Sequence, residues 1–342
     1  MKFFILKFLA VDDGFIMKRI GIVGSGRMAL RRGKALLDTG KAEIVAVSSR
    51  NIEHARRAAQ KLGAERYFDD YHEMAGLKLD ALLIEVPHAA QIDVIRWGVK
   101  VVSGILVGAA LAVNLREACE IERLAEENDC LIEAGYNARY DALWEKVKEI
   151  IRGGSLGRPI MAQSIALYSA SPSSWYYKEG ESGGMPLTHM TYCFINPIRW
   201  ILGRVIEVSA SASQPLHKGN DFVKEEMCAA ILRFKNDCIY SMAAGYIAPP
   251  NFPAWEVKFV CADGGLEISR LERSLKVYRD GEVKEMDFSS HPSSLLRQAE
   301  IFLNALDGKA ECLNPPSDAK IDVAIAEAIR KAARNHTVIR LE

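Results

Sequence analysis

The chain has 342 residues, enough for two full-sized cores, and its 49% hydrophobic and 26% charged residues are the balance of an ordinary soluble protein. Lys and Arg total 44, Asp and Glu also 44, so the net charge is zero and nothing calls for a nucleic-acid partner. The cysteines, Cys119, Cys130, Cys193, Cys228, Cys238, Cys261 and Cys312, are dispersed and form no C-x-x-C pair, which argues against a disulfide framework or structural metal site and for a reducing cytoplasm.

In chain order, residues 1–16 come first. In "MKFFILKFLAVDDGFI", Lys7 interrupts the apolar run, Asp12 and Asp13 follow, and no A-x-A cleavage site appears. The segment reads as an extension outside the fold. No later run reaches the roughly 18 uninterrupted apolar residues of a membrane span, so no membrane partner is expected.

From Met17 a pattern repeats: a short β-branched run, a turn, then a helix-period stretch. "RIGIVG" precedes "RMALRRGKALLDTG", "EIVAVSS" precedes "NIEHARRAAQKLG", and "LDALLIEVP" precedes "HAAQIDVIRWG". "KVVSGILVG", "NLREACEIERLAEEND" and "CLIEAGYN" complete the series. Alternation of this kind predicts a parallel sheet covered on both faces by helices, with helix stops at Gly40, Gly63 and Gly98.

"GSGRMA", Gly24 to Ala29, fits G-x-G-x-x-G/A and sits between the first strand and the first helix. Gly24 permits the tight turn, Gly26 lets the backbone approach a pyrophosphate, and Ala29 keeps the helix close to the sheet. Free N–H groups around Ser25, Arg27 and Met28 face the anion. The second strand ends in Ser48, Ser49 and Arg50, where an NAD site usually offers a carboxylate to the ribose 2′-hydroxyl. With no carboxylate to repel a 2′-phosphate and Arg50 available to pair with it, NADP(H) is expected to be preferred over NAD(H).

The second half contains "PIMAQSIALYSA", "RVIEVSASASQ", "EMCAAILRF", "CIYSMAAGYI", "WEVKFVCADGGLEIS" and "SLKVYRDGEVKEMDF", which read as successive strands. The last contains an Asp-Gly hairpin signal. Helical patterns lie at 187–202, 292–306 and 317–334.

"KRIGIVGSGRMA", "EIVAVSSRN", "GYNARYD", "IIRGGSLGRP" and "IRWILG" follow one another in an order that resembles the glucose–fructose oxidoreductase/inositol dehydrogenase (Gfo/Idh/MocA) family. The resemblance implies an α/β protein: a Rossmann dinucleotide-binding domain over 17–136, then an α/β domain over 137–342 with an open, mostly antiparallel sheet. That second domain is expected to carry the substrate side of the cleft and the contacts of a homodimer or homotetramer. Apolar residues in "CIYSMAAGY" and "WEVKFV" exceed what one sheet face needs, which points the same way.

Family members usually end the fifth strand with Glu-Lys-Pro, whose lysine hydrogen-bonds the reacting group. Counted from Pro87, those positions fall here on Gly108, Ala109 and Ala110, within "ILVGAALA". A second family feature is an Asp and, four residues later, a His on one helix face. Counted back from "RWILG", they fall on His189 and Cys193, although the glycine pair then needs a one-residue shift. An imidazole can supply the proton of a hydride transfer, so His189 is the candidate acid/base, with a pocket or helix-packing histidine an equal reading, and Cys193 a pocket wall.

Further candidates come from "GYNARYD". Asn137 and Arg139 are read as orienting substrate, with Tyr136 or Tyr140 as alternative proton donors; domain-joining hydrogen bonds are an equal reading for Arg139. Pro87 and His88 are placed near the nicotinamide, His88 with the alternative of a simple helix start. "SPSSWYYKEGESGG" reads as a loop that faces the cleft and selects substrate, or one that simply covers the sheet edge. The expectation is an NAD(P)-dependent oxidoreductase acting on a small polar carbonyl or imine. A catalytically silent nucleotide sensor on the same fold is the alternative.

Overall fold

The computed structural model describes residues 17–169, 171, 173–249, 252, 255–269 and 272–341; the extension 1–16 lies outside the described residues. Strand β1 (Lys18–Val23) leads into helix α1 (Arg27–Asp38), followed by β2 (Ala42–Ser48), α2 (Ile52–Leu62) and β3 (Arg66–Phe68). Then come β4 (Ala81–Ile84), α3 (His88–Gly98), β5 (Gly104–Val107), α4 (Leu115–Glu127) and β6 (Leu131–Ala134). They form one parallel sheet in the order β3-β2-β1-β4-β5-β6. Every residue of β4 and β5 is buried, as expected of strands covered on both faces. The order turns back between β1 and β4, which opens a crevice at the strand C-termini.

Three details differ from the sequence reading. Strand β3 and the 3-10 turn at Tyr71–Leu77 were not anticipated, because three residues are too few to show a period. Gly40 and Gly63 do follow their helices with φ of +67° and +71°. Gly98 instead ends α3 from within, where a Cβ would lie 3.0 Å from side-chain atoms of both Leu82 and Ile105. It lets the helix approach the sheet.

The second half opens with α5 (Ala142–Arg152) and β7 (Pro159–Leu167), then a short α6 (Glu179–Ser182) and α7 (Asn196–Leu202). Next are β8 (Val205–Ser213), β9 (Met227–Phe234), β10 (Ile239–Gly245), β11 (Trp255–Cys261), β12 (Gly264–Ser269), β13 (Ser274–Arg279) and β14 (Glu282–Asp287). The chain closes with α8 (Ser294–Leu306), α9 (Pro316–Asn335) and β15 (Ile339–Arg340). The sheet order is β14-β13-β12-β11-β7-β10-β9-β8-β15, antiparallel except for the β7–β10 pair. "WEVKFVCADGGLEIS" is a hairpin rather than a single strand. Asp280 and Gly281, at φ +53° and +80°, make the two-residue turn expected of Asp-Gly.

The helical pattern at 187–202 resolves into two windings: a π-helix over Pro186–Ile195, then α7. Helix α8 leaves its own sheet and packs on α1, with Leu306 and Phe302 over Gly104. No helix among the described residues is long and apolar enough to cross a membrane.

The turn after β1 is held from both sides. Gly24 N–H donates to Ser48 O at 2.8 Å, and a Cβ on Gly24 would lie 2.2 Å from the Glu85 carbonyl oxygen. Its φ of +122° also disfavours any side chain. Gly24→Ala should therefore destabilise the protein by about 1–3 kcal/mol, read as a lower urea midpoint. An unchanged midpoint would show that the turn relaxes freely.

Candidate active site

Gly26 caps α1 in an extended conformation, and a Cβ there would meet nothing within 4 Å. No side chain caps α1, and its first turn holds no acidic residue. The N–H groups of Arg27, Met28 and Ala29 thus open the helix with its positive dipole end available, which fits a pyrophosphate. Ser25 Oγ meets Ser49 Oγ at 2.9 Å, tying the glycine turn to the end of β2. Ser48 is buried there and Arg50 is exposed.

A cavity of about 660 Å³ runs from this turn to the π-helix. It brings together Gly26, Arg27, Met28, Ala29, Pro87, His88, Asn137 and Cys193. Gly24 and Ser25 shape the turn, while Ser48, Ser49 and Arg50 lie at the adjacent strand end, outside the wall. Asn137 donates to Ser294 Oγ at 2.6 Å.

Four of the predicted catalytic or substrate residues do not reach the cavity, each for a clear reason. Tyr136 is fully buried; its hydroxyl accepts from Leu111 N–H and its carbonyl from Asn314 Nδ2. Burial also pushes its phenol well above the ordinary range. Arg139 is 3% exposed, with Nη1 2.6 Å from Asp318 and 2.8 Å from Leu313 O. It joins distant segments and does not line the cavity. His189 lies behind the wall, with Nδ1 3.0 Å from the Tyr246 hydroxyl. Tyr140, the other proton-donor candidate, instead donates to Glu133 at 2.8 Å.

His88 is a brace. Its Nδ1 lies 2.9 Å from Ser182 O, and its Nε2 lies 3.0 Å from both Ala109 O and Ala110 N. Burial lowers its pKa, which keeps this imidazole neutral.

Residues 18–136 match the oxidoreductase family described as NAD-binding Rossmann fold, and residues 144–267 match the GFO/IDH/MocA C-terminal domain. The chain belongs to the Gfo/Idh/MocA family. It is 26% identical over 230 residues to myo-inositol 2-dehydrogenase of Thermotoga maritima, covering 65% of this chain and 66%, just under two thirds, of that enzyme. It is 21% identical to 1,5-anhydro-D-fructose reductase of Ensifer adhaerens, over 95% of this chain and 99% of that one. Levoglucosan dehydrogenase solved with NADH has the same fold: TM-score 0.86 at 16% identity, over 96% of this chain and all (100%) of that one.

At the end of β5, Gly108 and Ala109 line the cavity, and no lysine does so among the described residues. A Cβ on Gly108 would lie 3.0 Å from Glu85 Oε2, so Glu85 fills the space in front of this glycine. Sequence reasoning missed Glu85 and its partner Arg32. Arg32 Nε is 2.7 Å from Glu85 Oε1, with the N–H off the hydrogen-bond axis, and the side chains are 5% and 11% exposed. Burial raises the Glu85 carboxyl and lowers the Arg32 guanidinium, while their attraction opposes both shifts. A warning was present in the sequence: Arg32 shares the buried face of α1 with Ala29, Gly33 and Leu36.

The π-helix accounts for the one-residue disagreement between landmarks. Such a winding holds an extra residue relative to an α-helix. Counting forward from Gly183-Gly184 places the family's helix pair on Thr188 and Tyr192; counting back from Arg199-Trp200 places it on His189 and Cys193. Of these four, Thr188, Tyr192 and Cys193 line the cavity. Tyr168, Tyr176, Tyr192 and Tyr246 surround His189, their ring centroids 4.1, 5.1, 5.4 and 5.1 Å from its own, and of these Tyr176 and Tyr192 also line the cavity.

Arg32→Met would leave Glu85 buried without its counter-charge and should cost about 3–5 kcal/mol. Adding Glu85→Gln should recover part of that loss. Thermal unfolding of both variants checks this, and equal melting temperatures for Arg32→Met and the parent would contradict it.

Proposed function

We propose that the protein is an NAD(P)-dependent oxidoreductase that reduces a carbonyl or imine carbon of a small, polar, sugar-like substrate, with NADP(H) preferred. The observation that carries this reading is the cavity itself. It joins an uncapped helix start to a wall bearing the Thr188 and Tyr192 side chains, without a lysine to take up a substrate proton. When bound, the dihydronicotinamide supplies the hydride. Residues 17–136 hold the cofactor, and 137–342 bear the substrate wall and the subunit contacts.

Arg27, Met28 and Ala29 receive the pyrophosphate, and Gly26 leaves room for it. Ser48, Ser49 and Arg50, at the end of β2, would hold the adenosine ribose. Pro87, Gly108 and Ala109, which line the cavity after β4 and β5, would hold the nicotinamide half. His189 remains the acid in this reading, acting from behind the wall. The dispersed free cysteines support a cytoplasmic setting.

A homodimer or homotetramer is supported by the open sheet face. Met161, Ile231 and Val260 are 38%, 50% and 50% exposed there, beside the small Ala229 and Ala243. Light scattering at micromolar concentration should give a dimer or tetramer; a monomer alone would overturn this.

Incubation with NADPH and a set of carbonyl compounds that includes 1,5-anhydro-D-fructose should show loss of nicotinamide absorbance. Tight nucleotide binding with no turnover would favour the sensor. In calorimetry NADP(H) should bind more tightly than NAD(H). Arg50→Ala should weaken NADP(H) selectively by about tenfold, the scale of one charge-assisted hydrogen bond. Tighter NAD(H) binding by the unaltered protein would refute the preference.

A further inference from the structure

We propose that His189, Tyr246 and Thr188 form a hydrogen-bonded chain polarised toward the cavity, built to give a proton to a substrate oxygen or nitrogen. The proposal rests on the reductase reading above and assigns it a proton route.

The polarity follows from counting hydrogens. The Gly184 carbonyl oxygen can only accept, and Thr188 Oγ1 donates its single proton to it at 3.0 Å. Thr188 Oγ1 therefore accepts from the Tyr246 hydroxyl, which commits that group's one proton. The Tyr246 oxygen must then accept from His189 Nδ1, 3.0 Å away, so Nδ1 carries the hydrogen. Thr188 lines the cavity, while Tyr246 and His189, 2% and 6% exposed, do not.

The far end of the chain is ready to move. Gly184 O also accepts the backbone N–H of Thr188 at 2.9 Å and of Leu187 at 3.2 Å. It stays satisfied when the Thr188 hydroxyl turns to a substrate. Gly184 is itself fixed, with φ of +80° and a Cβ position 2.7 Å from Glu225 Oε2.

When the substrate carbon accepts the hydride and its π pair moves onto oxygen, that oxygen takes the Thr188 proton. Thr188 takes the proton of Tyr246, and Tyr246 takes the Nδ1 proton of His189. Starting from an imidazolium, His189 is left neutral with its hydrogen on Nε2, and one proton from water recharges it. For the opposite reaction Nδ1 would first have to be emptied.

The test is the His189 tautomer, read by nitrogen NMR of histidine-labelled protein at a pH where the ring is neutral, with His189→Gln for assignment. The unaltered protein should show the hydrogen on Nδ1. Thr188→Val removes the acceptor that fixes Tyr246, so the hydroxyl turns to the imidazole and the hydrogen moves to Nε2; Thr188→Ser keeps it on Nδ1. A hydrogen on Nε2 in the unaltered protein, or no response to Thr188→Val, overturns the chain without any substrate. With NADPH and 1,5-anhydro-D-fructose, Thr188→Val should lower kcat by ~10²-fold with NADPH affinity unchanged, and Thr188→Ser should restore it. An unaltered kcat in Thr188→Val also overturns the chain. Absence of any carbonyl turnover in the unaltered protein would instead sink the reductase reading, and the tautomer would still decide the chain.

Discussion

One buried guanidinium sets the geometry around the cavity. Arg32 projects from the inward face of α1, touches Glu85 at the end of β4, and donates to Gly135 O beyond β6 and to Gln298 on α8. Taking such a charge out of water costs several kcal/mol unless partners surround it, so these four segments hold one another in place. The network then continues. Gln298 donates to Glu133 at 3.1 Å, and Glu133 also accepts from Tyr140 at 2.8 Å and Asn314 Nδ2 at 2.9 Å. Tyr140 lies just before α5, and Asn314 lies between α8 and α9. The anion-binding start of α1 and the substrate wall are thus positioned by one polar core, and neither half sets the cavity alone.

This explains which parts of the molecule could be read from the sequence. Strand and helix periods, the Gly24–Ala29 turn and the Asp280-Gly281 hairpin depend on neighbours within a few residues, so local chemistry reveals them. Arg32 and Gln298 are 266 positions apart, and Arg31 and Arg32 look alike until the phase of α1 is known. That phase was available from Ala29, Gly33 and Leu36, and a basic residue among them deserved the same weight as the glycines. Tyr136 and Arg139 lie off the cavity wall for a related reason. Their sequence position, just after the last parallel strand, is right for a ligand, but their partners Asn314 and Asp318 lie far along the chain.

The π-helix was legible only as a discrepancy. No residue in "PLTHMTYCFI" announces it, and the misfit of one residue between the glycine pair and "RWILG" was its trace. The extra residue changes which side chains meet the cavity. It brings Thr188 and Tyr192 forward and leaves His189 in the tyrosine shell. An insertion of this kind re-aims a helix face without lengthening the helix, which is why π-windings concentrate where function is rebuilt.

On the proposed reading, the absence of a lysine changes more than a hydrogen-bond donor. An ammonium about 5 Å from a nicotinamide ring would disfavour its cationic, oxidised form by roughly 3 kcal/mol at an effective dielectric near 20. In its place this cavity holds Glu85 and Arg32, a pair that sums to zero charge, and apolar Ala109. With Ala109 at the lysine's position, no ammonium there would oppose an oxidised nicotinamide, although Arg27, Arg31 and Arg273 also line the cavity. The two duties of an ammonium, placing a proton and setting the field, are separated here. The hydroxyl chain behind Thr188 takes the first, and the Glu85–Arg32 pair takes the second. Both changes favour reduction of the substrate over its oxidation.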